Sequence, residues 1–213
     1  MTAPLPAPIR LLETLAGIDG EPRHLADHLD RMAASAAVFG FWWDRDPVEA
    51  AVRRAIQGRP GRLRIRLLLS RKGAIEVQAI TQPQPPPTLR VGLATGYLHS
   101  QHPLLRHKTT HRSHLTRLAA PGVDDTLLFN ERGEVTEYTY GNAVADLDGV
   151  LITPPLGCGL LPGIERAQAL ASGRVTEGII RVNDLSAATR LWHLNSLRGW
   201  TAAHLSWGLD VPQ

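Results

Sequence analysis

The sequence predicts a mixed α and β fold (α/β, or α+β) in two domains. Three observations carry this. The chain has 213 residues at 43% hydrophobic composition, enough for one large or two small cores and too apolar for disorder. Residues Arg62 to Leu69 alternate arginine with Leu and Ile, and a second strand-like run follows a turn. Helix-like and strand-like segments interleave in both halves, the pattern of mixed architectures.

Taken in order, Ile9 to Leu15 reads as a strand followed by a turn at Asp19-Gly20. Leu25, Leu29, Met32, Ala33, Ala36 and Val38 suggest an amphipathic helix from Leu25 to Phe39, stopped near Gly40. Pro47 to Ile56 gives a second helix. Arg62 to Leu69, the turn Arg71-Lys72-Gly73 and Ile75 to Ile80 form a hairpin, with Arg62, Arg64 and Arg66 along one face. Gln82 to Pro87 is the strongest break in composition, and Leu89 to Ala94 is a further strand. Past it we expect a helix from His111 to Ala120 and strands at Asp125–Asn130, Glu134–Tyr140, Ala143–Leu147 and Val150–Thr153. A helix follows Leu161-Pro162-Gly163 and runs to about Ser172. Arg174 to Val182 reads as a strand, and Asp184 or Ser186 caps a short helix from Leu185 to Ala188. Strands at Arg190–Asn195 and Ala202–Leu205 finish the pattern. The expected division is 1–97, a connection at 98–103, and 104–213.

Composition excludes several classes. The lone cysteine, Cys158, rules out an internal disulfide framework. No apolar run approaches the roughly 18–20 residues of a membrane span. The start Met1-Thr2-Ala3-Pro4-Leu5-Pro6 lacks a basic stretch followed by an apolar one, so no secretory signal and a cytoplasmic location are expected. The net charge is +3 and the isoelectric point is near 9.5. The cations are scattered, and three Tyr and three Phe offer little stacking surface, so nucleic acid is not an expected partner. A small anionic ligand suits an arginine-rich chain better. No Cys/His pair has zinc-ligand spacing.

Only Lys72 and Lys108 stand against 21 arginines. A guanidinium keeps its proton in proteins, whereas an ammonium crowded by other cations can lose it. Lys108 lies in Arg106-His107-Lys108-Thr109-Thr110-His111-Arg112, which is such a crowd. A neutral amine is what a Schiff-base lysine requires.

Four separated segments then share a pattern. They are His28-Leu29-Asp30-Arg31-Met32 with Ser35-Ala36; His107-Lys108-Thr109-Thr110; Asn130 to Glu137 with Asn142; and Thr153-Pro154-Pro155-Leu156 with Gly159 to Arg166. In order and spacing they resemble the class IV pyridoxal-phosphate enzymes, which include branched-chain aminotransferases, D-amino-acid aminotransferases and aminodeoxychorismate lyases. The resemblance runs from Ile9 to Leu205. His107 to Arg112, Leu128-Phe129-Asn130-Glu131 and Asn195 to Trp200 place it nearest the aminodeoxychorismate lyases.

The resemblance implies the family's fold: a small N-terminal α/β domain, a larger C-terminal α/β domain and a pyridoxal 5'-phosphate cleft between them. It implies that Lys108 forms the Schiff base and acts as the base, and that Glu137, five residues before Asn142, faces the pyridine nitrogen. It implies that Arg31, the backbone at Gly163 and Ile164, and Asn195-Ser196 hold the phosphate. Glu165 stands where many transaminases carry threonine and is expected to point away. Arg64, Arg66, His107, Arg112 and Arg198 are the candidates for substrate, and His111 is a neighbour that could tune Lys108. The resemblance also implies that many relatives carry a further N-terminal strand and turn before the position of Ile9, whose absence is expected either to open the cleft or to leave a partner to cover it. The implied reaction is lysis of 4-amino-4-deoxychorismate to 4-aminobenzoate and pyruvate, on the way to folate. The alternatives are an aminotransferase and a non-catalytic partner of a chorismate-using synthase. A homodimer and a functional link to aminodeoxychorismate synthase are expected with it.

Overall fold

A computed structural model describes residues 8–206, so Met1 to Pro6 lies outside the described residues. Contacts divide the chain into two units at Gln82–Pro83, and His107–His111 return to the first. The composition break at Gln82 to Pro87 therefore marks the boundary, and the expected connection at 98–103 falls within the second unit. The reason is non-local. The strand Thr88–Leu93 pairs in parallel with strands far along the chain, which its own residues do not reveal.

In the first unit, β1 (Leu11–Ile18) pairs with β2 (Glu21–Pro22) and lies antiparallel to β3 (Arg62–Leu69), which pairs with β4 (Ile75–Thr81). Helix α1 (Leu25–Phe39) and helix α2 (Arg45–Ile56) cover one face. Gly40 ends α1 at φ 66°, a left-handed conformation that suits glycine, and its N–H meets the Ala36 carbonyl. Helix α2 begins two residues before Pro47. Asp44 caps it by accepting from the Asp46 N–H, and a proline is tolerated in the first turn. Leu11, Leu15, Leu63, Ile65, Leu67 and Leu69 alternate onto the helices and meet Leu29, Met32, Val48 and Val52. Each such side chain contributes about 1.5–3 kcal/mol on burial. The other sheet face carries Arg64 and Arg66.

In the second unit, β5 (Thr88–Leu93) precedes a single helical turn, α3 (Ser113–Thr116). The helix expected from His111 to Ala120 is thus four residues long. Its start is lost because the residues before it are extended along β1, and its end tightens into i→i+3 bonds at Leu118 and Ala119. Next come β6 (Asp125–Phe129), β7 (Val135–Tyr138), β8 (Gly141–Leu147), β9 (Val150–Thr153), α4 (Ile164–Ala171), β10 (Thr176–Glu177), β11 (Arg190–Asn195) and β12 (Gly199–Leu205). The order β8-β11-β12-β5-β6-β7 closes through a β7–β8 pairing into a six-stranded barrel. Leu89, Val91, Leu127, Val135, Ala143 and Leu191 fill it.

The long strand expected at 174–182 is only β10. Gly178 packs so tightly on Ile152 that a side chain there would collide, and beyond it the chain leaves β9. Ile180 and Arg181 pair instead with the residues that open β7. The expected helix at Leu185 to Ala188 is a 3-10 turn at Val182–Ser186, with Asp184 accepting from the Arg181 N–H.

Candidate active site

Lys108 is fixed through its backbone. Its carbonyl accepts from Leu12 N–H at 2.9 Å, Thr110 N–H reaches the Arg10 carbonyl at 2.9 Å, and Leu11 and Thr109 form a bridge between them. This register sets Lys108 opposite Leu12. Residues opposite each other in antiparallel pairs project to the same face. Lys108 therefore shares a face with Leu12, Thr14 and Ala16 of β1, whose β3 partners are Leu68, Arg66 and Arg64. The lysine, half-buried, and two of the arginines singled out for substrate thus lie on one side of one sheet. His107 projects the other way. Its Nδ1 lies 3.0 Å from Ser35 Oγ and its ring meets Phe39 edge-on, so α1 holds it and it braces the lysine segment. His111 is exposed at the end of the segment, with its backbone bonded to Thr109 Oγ1.

Arg31 occupies the inner side of α1. Its Nε and Nη2 donate to the two oxygens of Glu13 at 2.8 and 2.6 Å, and His28 Nδ1 lies 2.7 Å from the same carboxylate. Glu13 and His28 are each 1% exposed. Burial pushes the Glu13 carboxyl up, but the Arg31 charge and the His28 contact outweigh it and hold the pKa at about 2.

In the second unit, Glu137 and Asn142 face each other across β7 and β8, and both are buried. Asn142 Nδ2 donates to the Leu161 carbonyl at 3.0 Å and reaches Glu137 Oε2 at 3.5 Å. Gly163, the N-cap of α4, packs directly on the Asn142 amide; a Cβ there would overlap Asn142 Oδ1. One amide thus links the carboxylate to the loop that starts the helix. Among the described residues no side chain caps this helix end. The first N–H groups of a helix have no acceptor inside it and favour an anion. Ile164 is buried in that turn and Glu165 is half-buried beside it.

Asn195 serves the β11–β12 turn. Its Oδ1 accepts from the N–H groups of Leu197 and Arg198, and its Nδ2 donates to the Tyr140 carbonyl. The side chain is thereby committed to shaping the loop, which leaves Ser196 and the loop backbone as its candidates for phosphate. Arg198 is half-buried in the same turn. Arg112 donates to the Thr139 carbonyl and lies 5.1 Å from the Tyr140 ring centroid. Its guanidinium therefore braces the β7–β8 turn between Glu137 and Asn142.

Three groups were missed by sequence reasoning. The first is Glu13, a charge set between Leu11 and Leu15 on the core face of a strand, which is itself the signal that a buried partner exists. The second is the Asp125–His193 pair inside the barrel, 3.0 Å apart and nearly unexposed, with Asp125 also accepting from the Tyr140 N–H. The third is Arg132, which donates to Glu131, Glu134, Ser100 and the Gly157 carbonyl and ties the loops at 98–106 and 154–163 to the β6–β7 turn. Neither of these last two groups is signalled by local pattern. Cys158 is buried, and burial together with Glu134 pushes its thiol up to about 11, so it is no nucleophile. Among the described residues no group of His, Cys, Asp and Glu could hold a metal, and no helix is long and apolar enough to cross a membrane.

The chemistry of this donor set fits pyridoxal phosphate. The first unit offers an amine on a backbone-fixed segment; the second, taken by itself, offers a buried carboxylate beside an amide and a helix start of the kind that favours an anion. The model of the class IV aminotransferase family matches residues 10–205, and the chain belongs to that family of pyridoxal-phosphate-dependent enzymes. A Schizosaccharomyces pombe protein provisionally named an aminodeoxychorismate lyase is 33% identical over 196 residues, 84% of this chain and 83% of that one. A crystal structure from Mesorhizobium loti, provisionally named an amino-acid aminotransferase, is 38% identical with a TM-score of 0.86, covering 93% of this chain and all of that one. A Legionella pneumophila structure, provisionally named a 4-amino-4-deoxychorismate lyase, shares the fold at 23% identity and a TM-score of 0.85, covering 93% of this chain and 83% of that one.

Proposed function

We propose that this protein is a lyase that converts 4-amino-4-deoxychorismate to 4-aminobenzoate and pyruvate. The observation that carries the reading is the shared sheet face of Lys108, Arg64 and Arg66. It sets an amine and two guanidinium groups on the same side of one sheet, and the substrate carries one amine and two carboxylates. The lyase name of the 33% identical relative supports the same choice.

Bound pyridoxal phosphate supplies an electron sink for the carbon that bears the substrate amine. Lys108 would hold the cofactor through its side-chain amine, and that amine, once released, would take the proton from the carbon that bears the substrate amine. Glu137 keeps the proton on the ring nitrogen, and Asn142 keeps Glu137 in place. The start of α4 at Gly163 and Ile164, the turn at Ser196, and Arg31 bind the phosphate. Arg64 and Arg66 take the carboxylates and orient the ring. Loss of the enolpyruvyl oxygen from the adjacent carbon aromatises the substrate, and the proton held by Lys108 leaves with the enolpyruvate. The balance closes without an oxidant or a second substrate.

The second reading is an aminotransferase, favoured by the name of the 38% identical structure. One assay separates them. Pyruvate and 4-aminobenzoate formed in equal amounts from 4-amino-4-deoxychorismate, with no keto acid added, support the lyase. Turnover only with a keto acid supports the aminotransferase.

A further inference from the structure

We propose that Glu13 is a positioning residue for phosphate recognition: its carboxylate fixes one edge of the Arg31 guanidinium so that the opposite edge is presented to the cofactor phosphate. The proposal rests on the assignment of Arg31 to the phosphate made above.

Strand β1 sets Glu13 on the face that packs against α1, between Leu11 and Leu15. A carboxylate buried there is costly unless it is paired and hydrogen-bonded. His28 and Arg31 are three residues apart on α1, one turn of the same helix face, so both reach it. The two Arg31 bonds, at 2.8 and 2.6 Å, take Nε and one N–H of Nη2. A guanidinium is a rigid fork with five N–H groups, so fixing one edge fixes the direction of the other three. His28 adds the third contact on the carboxylate, at 2.7 Å, and its Nε2 is buried without a hydrogen-bond partner. Glu13 and Arg31 cancel in charge. What the cluster offers a phosphate is direction more than net attraction.

That distinction gives the test. The full-length protein is titrated with pyridoxal phosphate and, separately, with pyridoxal, which lacks the phosphate, and binding is followed by absorbance. Wild type should prefer the phosphorylated compound, and Arg31→Met should lose most of that preference. Glu13→Gln, which keeps the shape but not the charge pairing, should weaken pyridoxal phosphate by about tenfold, the scale seen when partners behind binding groups are removed. Its affinity for pyridoxal should not change. Glu13→Asp, which retains the charge on a shorter arm, should fall between, and it serves as the test if Glu13→Gln does not fold. A Glu13→Gln or Glu13→Asp protein with an unchanged or stronger preference for the phosphorylated compound overturns the proposal while leaving the Arg31 assignment standing. Equal losses for both compounds assign Glu13 a purely structural part and also overturn it. No preference in wild type, or none lost in Arg31→Met, overturns the Arg31 assignment itself.

Discussion

The two units hold their charges differently. In the first, Glu13 is sealed behind α1 with Arg31 and His28. In the second, Arg132 lies at the surface and is shared among Glu131, Glu134, Ser100 and a carbonyl. Glu13 and Glu131 both titrate at about 2, for different reasons. Glu13 is raised by burial and pulled down by the arginine charge. Glu131 is pulled down by the Ser100 hydroxyl and N–H in the presence of solvent. A similar pKa thus marks a directed arginine in one unit and a loop clamp in the other. The lesson is that a carboxyl of the same pKa is held by a buried charge in one unit and by solvent-side hydrogen bonds in the other.

The largest effect expected from this contrast is on stability. Arg31→Ala strands a buried carboxylate and should cost about 3–5 kcal/mol in urea unfolding. Arg132→Ala breaks a partly exposed network and leaves Glu134 its bond from Asn130, so it should cost clearly less. Equal costs would remove the distinction between the two.

Next in size is Gly141→Ala. Its Cβ would meet the His193 ring and the Leu194 carbonyl, so the β7–β8 turn must shift. A loss of about 1–3 kcal/mol is expected from overpacking. It should be accompanied by weaker cofactor binding, because Glu137 and Asn142 flank that turn. Unchanged unfolding and cofactor titrations would show that the barrel pair does not brace the site.

A further contrast is read through pH. The Glu13 carboxyl has a lower pKa folded than unfolded. Its contribution is therefore complete above about 4.5, the ordinary value, and is lost as pH falls through about 2. Unfolding measured across that window should show a wild-type loss that is reduced in Glu13→Gln. A parallel loss in both proteins would assign acid sensitivity to other carboxylates.

Much of this molecule was legible locally. The bounds of α1 at Leu25 and Phe39, and the alternation of β3, follow from spacing alone, because one face of each is buried. What was not legible depends on partners distant in sequence. The parallel pairing of β5 with β12, the departure of the chain from β9 after Gly178, and the return of His107–His111 to the first unit have no local signal. The same holds for side chains. Lys108 stood out by type, as one of two lysines, and Glu137 and Asn142 only through the resemblance. The contact of Arg112 with the Thr139 carbonyl, 27 residues away, has no local signal. Glu13 was visible as a charge at a core position, but its partners were not.

The central claim is that the amine of Lys108 binds the cofactor. The chain has one other lysine, Lys72, exposed in the turn between β3 and β4, which serves as an internal control. The protein is incubated with pyridoxal phosphate, reduced with borohydride, digested and mapped by mass spectrometry. The account predicts the reduced cofactor on Lys108, with Lys72 unmodified and no adduct in Lys108→Ala. Equal labelling of Lys72, or no label on Lys108, would contradict it.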